Sequence, residues 1–152
     1  MTASSTDRIH KEITLSAPQS RVWRALSDSA EFGAWFGVRL EGPFQVGETI
    51  RGPITHPGYE HLTFVAHVER MEPEHTLAFR WHPQAFDPDR DYSDEPSTLV
   101  EFHLEPDGDG VRLTVTESGF DSLPEDCRGD AFMRNESGWT GQVTNIQRHV
   151  DG

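Results

Sequence analysis

From Gly129 to Val150 the chain reads GDAFMRNESGWTGQVTNIQRHV, its one long stretch with a clear helical period. Phe132, Asn135, Trp139, Val143, Ile146 and Val150 recur at spacings of three and four. One mostly apolar stripe therefore runs along a helix whose other side carries Arg134, Glu136, Gln142, Asn145, Gln147 and Arg148. That stripe needs a cover, and most of the remaining sequence consists of short alternating strand patterns. Such a chain is expected to be α+β: a curved antiparallel sheet gripping one terminal helix. Gly138 and Gly141 flank Trp139 inside the helix, where each costs about 1 kcal/mol relative to alanine. Close packing or free space beside the helix would explain them.

Before that helix, Arg8 to Leu15 alternates and reads as a first strand, with an irregularity expected near His10 and Lys11. Pro18 suits a helix start, so Val22, Trp23 and Leu26 form the apolar side of a short helix through Ser27. Ser29 to Phe36 reads as a second short helix stopped by Gly37. Strands follow at Val38 to Leu40, Glu48 to Gly52, Tyr59 to Met71, Thr76 to His82, Ser97 to Glu105 and Val111 to Ser118. The DGDG run from Asp107 to Gly110 marks a hairpin, because glycine accepts the positive φ of tight turns. Pro83 to Pro96 is an acidic, proline-bearing loop and the expected mobile segment. Residues 8–150 thus form one domain after a frayed lead-in over residues 1–7.

Asp and Glu number 26 against 13 Lys and Arg in the 152 residues, a net charge of −13. A surface of that sign repels phosphate backbones and anionic headgroups, which disfavours nucleic acid as a partner. No apolar run approaches the roughly 18 residues of a membrane span, and Met1 to His10 lacks an apolar centre, so cytoplasmic residence without membrane insertion is the expectation. Cys127 is the only cysteine, which excludes an internal disulfide and a multi-cysteine zinc site. HEXXH, GxSxG, Walker and GxGxxG motifs are all missing, so no cofactor is indicated. The cluster HPGYEH from His56 to His61 holds its two histidines across a Pro-Gly turn, a spacing that does not put both on one helix face, and it reads as solvated loop rather than as a metal site.

Several motifs in order resemble a known superfamily: APQSRVWRAL with EFGAWF after it, GPFQVGE, VERMEPEHTLAFRW, STLVEFHLEPDGDGVRLTVTESGF, and SGW followed by Val143, Ile146 and His149-Val150. Together they are similar to the START-like, helix-grip superfamily called SRPBCC, in its branch related to the activator of the 90-kDa heat-shock chaperone ATPase. The resemblance implies a strand, two short helices, six further strands and a terminal helix, with a cavity between sheet and helix. Relatives use that cavity for lipids, sterols, polyketides or other apolar molecules, as carriers or sensors, and a few act as cyclases or hydrolases. The chain carries no counterpart of the N-terminal chaperone-binding domain of larger eukaryotic activators, which counts against a full co-chaperone role.

Strand parity places Phe64, Phe79, Trp81, Val100, Phe102, Leu113 and Val115 on the concave side, facing Met133, Trp139 and Val143. This wall is either a filled core or a partly hollow cavity for a small hydrophobic ligand. Trp35 and Phe36 either pack at the sheet edge or form a partner-docking patch, and Tyr59 or His61 is a candidate contact at the cavity mouth. The candidate ligand-binding set is then Trp35, Tyr59, His61, Phe64, Phe79, Trp81, Phe102, Val115, Glu117, Met133, Trp139 and Val143. Glu117 is the sharpest of these, because its parity puts a carboxylate beside Leu113 and Val115, where an unpaired charge is costly. It is a candidate hydrogen-bond partner for a ligand, a candidate catalytic acid/base, or a strand-end carboxylate reaching water or an arginine. A chaperone-contacting interaction module is the third functional alternative.

Overall fold

A computed structural model describes residues 7–85 and 89–151. Strand β1 (Arg8–Leu15) leads into helices α1 (Gln19–Ser27) and α2 (Ser29–Phe36). Strands β2 (Thr49–Pro53), β3 (Thr63–Glu72), β4 (Thr76–Trp81), β5 (Thr98–Asp107) and β6 (Gly110–Ser118) follow, and α3 (Glu125–Asp151) ends the order. All six strands form one antiparallel sheet in the order β1-β6-β5-β4-β3-β2, so β1 and β2 are its edges. The architecture is the α+β helix-grip arrangement that the alternating strands and terminal amphipathic stripe demand.

Local chemistry sets the element ends. Asp28 caps α2 by accepting from the amides of Ala30 at 2.9 Å and Glu31 at 3.2 Å, and Gly37 closes it at φ 94°. Asp107 pairs with Gly110 across a two-residue turn in which Gly108 takes φ 61°. At Gly52 a Cβ would stand 2.0 Å from the carbonyl oxygen of Arg39, so only glycine lets the Arg39–Leu40 backbone lie across β2.

Four local expectations are corrected. Val38 to Leu40 forms no strand but a single bridge, Val38 to Ile54, so the sheet has six strands rather than the implied seven. Strand β3 begins at Thr63 because Gly58 at φ 93° and the turn bond from the Leu62 amide to the Tyr59 carbonyl break the extended pattern. Its register against β4 shifts between Val68 and Arg70, whereas β1 runs without irregularity at His10 and Lys11. Helix α3 starts four residues before Gly129, where Glu125 and Asp126 favour the positive end of the helix dipole. Its apolar period begins only later, which hid that first turn.

The core lies between the sheet and α1, α2 and α3. Leu15, Val22, Leu26, Phe32, Phe79, Leu113 and Phe120 are fully buried, and α3 contributes Ala131, Trp139 and Ile146. Among the described residues no helix is long and apolar enough to cross a membrane. Two polar latches hold the far end of α3. Asp151 accepts the amides of Ser16 and Ala17, both at 2.9 Å. Glu31 on α2 pairs with Arg21 at 2.6 Å, Arg24 at 2.8 Å and His149 of α3 at 3.0 Å.

Burial works to raise the Glu31 carboxyl, but hydrogen bonds from His149 and Arg21 and the charges of Arg21 and Arg24 outweigh it and hold it below its ordinary value. A lowered carboxylate contributes stability that is present above its unfolded pKa and is lost as pH falls through the folded one. Urea denaturation of the wild type should therefore show stability falling below about pH 4.5, and Glu31→Gln should flatten that limb. An unchanged pH profile in the variant would show that the latch carries no such linkage.

Candidate functional site

Glu117 is the inward residue at the end of β6, fully buried, and all its lone-pair positions are filled. Oε2 accepts from Trp81 Nε1 at 2.7 Å and Thr98 Oγ1 at 2.5 Å, while Oε1 accepts from Trp139 Nε1 at 2.8 Å and Asn135 Nδ2 at 2.9 Å. The donors come from β4, β5 and α3, so one carboxylate gathers three neighbouring elements. No lysine or arginine forms an ion pair with Glu117 among the described residues, and neutral dipoles do the satisfying instead. The two alternatives of solvent exposure and arginine pairing are both overturned. Asn135 and Thr98 were missed as partners, although each leaves a trace in the sequence: Asn135 is the polar member of the helix stripe, and Thr98 shares parity with Val100 and Phe102.

The indoles that Glu117 fixes belong to a continuous aromatic layer. Trp81 and Trp139 lie 5.8 Å apart, Phe36 is 6.0 Å from Trp81 and 6.1 Å from Trp139, and Phe64 is 5.7 Å from Trp81. These four rings floor a cavity of about 1190 Å³ at the end of the sheet where β4 ends and β3 begins. Tyr59, Leu62, Arg134, Gly138 and Gln142 also line it, with His82, Arg90 and Tyr92 from the loop after β4. Outward-facing Thr49, Val65, His67 and Arg80 line it too, so the space runs past the strand ends onto the outer face of the sheet. The aromatic floor bounds only its inner part.

The middle of the sheet–helix interface is closed. The gap framed by Trp35, Phe102, Val115, Trp139 and Val143 has no room for a water molecule. Phe102 and Val115, like Phe79, are therefore core rather than cavity wall, and Trp35 is buried with its Nε1 donating to the Ala25 carbonyl at 2.8 Å. That bond also removes Trp35 as a surface docking residue. Met133 is 71% exposed on the solvent side of α3, because it sits two positions off the Ala131 face, and it faces no wall. His61 is exposed and outside the lining, while Tyr59, 45% exposed, stands at the mouth with its ring 5.5 Å from His56. Of the expected set, Tyr59, Phe64, Trp81 and Trp139 meet at the cavity, and Glu117 stands behind them.

Gly138 explains itself here. A Cβ at this position would meet nothing within 4 Å, and the residue lines the cavity one helical turn after Arg134 and one before Gln142. Free space, not close packing, accompanies it. Cys127 is no nucleophile in waiting: burial, with Asp126 and Glu95 nearby, pushes its thiol up. Among the described residues no three His, Cys, Asp or Glu side chains gather as a metal site.

A sheet closed by a long terminal helix, with two short helices after the first strand and space left at one end of the grip, defines a helix-grip domain of the START-like SRPBCC class. Within that class the chain belongs to the family described as Activator of Hsp90 ATPase homolog 1-like protein, whose model matches residues 16–151. Comparison with curated proteins finds no match. Among solved structures the chain is similar to DynU16 from the dynemicin biosynthetic locus, at 23% identity and TM-score 0.73. That likeness covers 95% of this chain but 47% of DynU16, so the chain spans about half of that protein. It is also similar to MLL2253 from Mesorhizobium loti, at 22% identity and TM-score 0.75 over 95% of this chain and 96% of that one. The Aha1 dimer from Colwellia psychrerythraea shares 16% identity at TM-score 0.71, over 94% and 95% of the two chains. At such identities the likeness is one of fold.

Glu117→Gln presents one oxygen and one NH2 to four donors, leaving about half of them without an acceptor. Its cost should be about 2–4 kcal/mol in urea denaturation, with a shifted tryptophan emission. A variant as stable as the wild type would mean that the carboxylate does not hold the indoles.

Proposed function

We propose that this protein binds a small apolar or aromatic molecule in the inner part of the cavity, against Trp81 and Trp139, as a carrier or sensor. The observation that carries the reading is the floor of four aromatic rings, two of them fixed through their indole N–H groups by a buried carboxylate, bordering open space beside Gly138. Flat rigid rings give a ligand large contact area with little ordering cost, and a pre-formed wall leaves less entropy to lose on binding. A biosynthetic locus as the setting of DynU16 favours a natural-product-like guest over a bulk membrane lipid.

This reading is preferred to acid–base catalysis by Glu117. That carboxylate does not line the cavity, and its four acceptor positions are already engaged by protein donors. Glu117 acts here as a positioning residue for the two indoles. The cavity is likewise a more specific feature than any exposed patch, so ligand binding is placed ahead of chaperone contact.

N-phenyl-1-naphthylamine, a neutral aromatic probe, should gain fluorescence with micromolar affinity and raise the melting temperature, because only the folded form has the cavity. Gly138→Leu should fill the space beside Trp139 and weaken the probe by about tenfold or more, while near-UV circular dichroism stays native. Gly138→Ala, which meets no neighbour, should raise stability by about 1 kcal/mol. Absence of probe binding to the wild type, or equal binding to the leucine variant, would defeat the assignment of the site.

A further inference from the structure

Two side-chain amides line the cavity, those of Asn135 and Gln142, and they are engaged differently. Gln142 uses both ends: its Nε2 donates to the Phe36 carbonyl at 2.9 Å and its Oε1 accepts from Asn145 Nδ2 at 3.1 Å. Asn135 uses one. Its Nδ2 donates to Glu117 Oε1 at 2.9 Å, and no described residue donates to its Oδ1. The orientation of this amide is settled by chemistry, because a carboxylate that accepts at both oxygens can be faced only by the NH2 group. Oδ1 is therefore held at the other end of the amide, away from Glu117. Among the described residues only Gln84 Oε1 is both shut off from solvent and without a partner, so Asn135 Oδ1, lacking a protein donor, keeps access to open space.

Building on the binding reading above, we infer that Asn135 is a specificity-determining residue: the ligand is an aromatic molecule bearing a hydrogen-bond donor, a phenol-type hydroxyl or an N–H, which Asn135 Oδ1 accepts while the ring body lies against Trp81 and Trp139. Asn135 Nδ2 and Trp139 Nε1 meet on one oxygen of Glu117, so the amide stands at the edge of the aromatic floor. Side chains on a helix lean toward its N-terminus, and the residue three positions on covers the one before it. For Asn135 that residue is Gly138, which has no side chain, and a Cβ there would meet nothing within 4 Å. The bond to a carboxylate also pulls electron density toward Oδ1 and strengthens it as an acceptor. Ser97 and Ser137 line the cavity too, but a hydroxyl turns to donate or to accept and demands nothing of a ligand. An amide locked as an acceptor does make a demand. A ligand that displaces solvent from Oδ1 without bringing a donor leaves it unpaired, which selects against molecules that only accept.

The test compares 2-naphthol with 2-methoxynaphthalene, which share a ring system but differ in that the ether can only accept. Their affinities are read by displacement of N-phenyl-1-naphthylamine. The Kd of the ether divided by that of the naphthol should be about tenfold larger in the wild type than in Asn135→Leu, whose side chain is of similar size but has no acceptor. Comparing the ratio between proteins cancels the difference in hydrophobicity between the two probes. In the wild type alone, the side-chain amide nitrogen resonance of Asn135 should move further at saturation with 2-naphthol than with 2-methoxynaphthalene, because the ring contributes to both shifts and the donor to one. An unchanged ratio in Asn135→Leu, or equal movement of that resonance with the two probes, would overturn the donor assignment while probe binding leaves the cavity reading intact. Failure of both naphthalenes and of N-phenyl-1-naphthylamine to bind the wild type would overturn the two together. The resonance needs no variant, so a misfolded Asn135→Leu protein does not rescue the proposal.

Discussion

A carboxylate taken out of water carries a desolvation cost of several kcal/mol, and this fold meets that cost at Glu117 with hydrogen bonds rather than with a counter-charge. Each of its oxygens accepts two donors, and the donors arrive from β4, β5 and α3. The arrangement binds sheet to helix more specifically than apolar contact does. A slip of α3 by one turn would leave a buried charge facing empty positions and two indole N–H groups without acceptors. Apolar packing of Phe102, Val115 and Ile146 supplies the bulk of the attraction, and the carboxylate selects the register in which that packing occurs.

The same interaction decides where the molecule is hollow. Trp81 and Trp139 point their N–H edges to Glu117, and both residues also line the space beyond. From Val143 to Ile146 of α3 the side chains close the gap, and around Gly138 and Arg134 they do not. At the opposite end, Asp151 and the cluster of Glu31, Arg21, Arg24 and His149 hold α3 down. The C-terminal end of the helix is thus tied by charge, while its middle borders open volume.

Charge is distributed on a different pattern from apolarity. Acids outnumber bases two to one over the chain, yet the described cavity lining reverses that balance. The reversal arises from arginines on three separate elements, β2, β4 and α3, together with one on the loop after β4. Only folding places them around one opening.

The period of the chain by itself determined the α+β architecture, the inward parity of β3 to β6, the two short helices and the Asp107–Gly110 hairpin, because each depends on residues close in sequence. Parity also put Glu117 inside, whereas its bond to Asn135, the polar member of the helix stripe, appeared only with the tertiary structure. Periodicity could not say that Met133 faces solvent, that Phe79 and Phe102 are core, or that Val38 to Leu40 makes one bridge instead of a strand, since those outcomes depend on which neighbours arrive from elsewhere. The tertiary structure alone decided that the interface is solid at Val115 and open at Gly138, and that Arg134 overlooks the opening. A cavity is what remains after distant segments have packed, and no local pattern encodes a remainder.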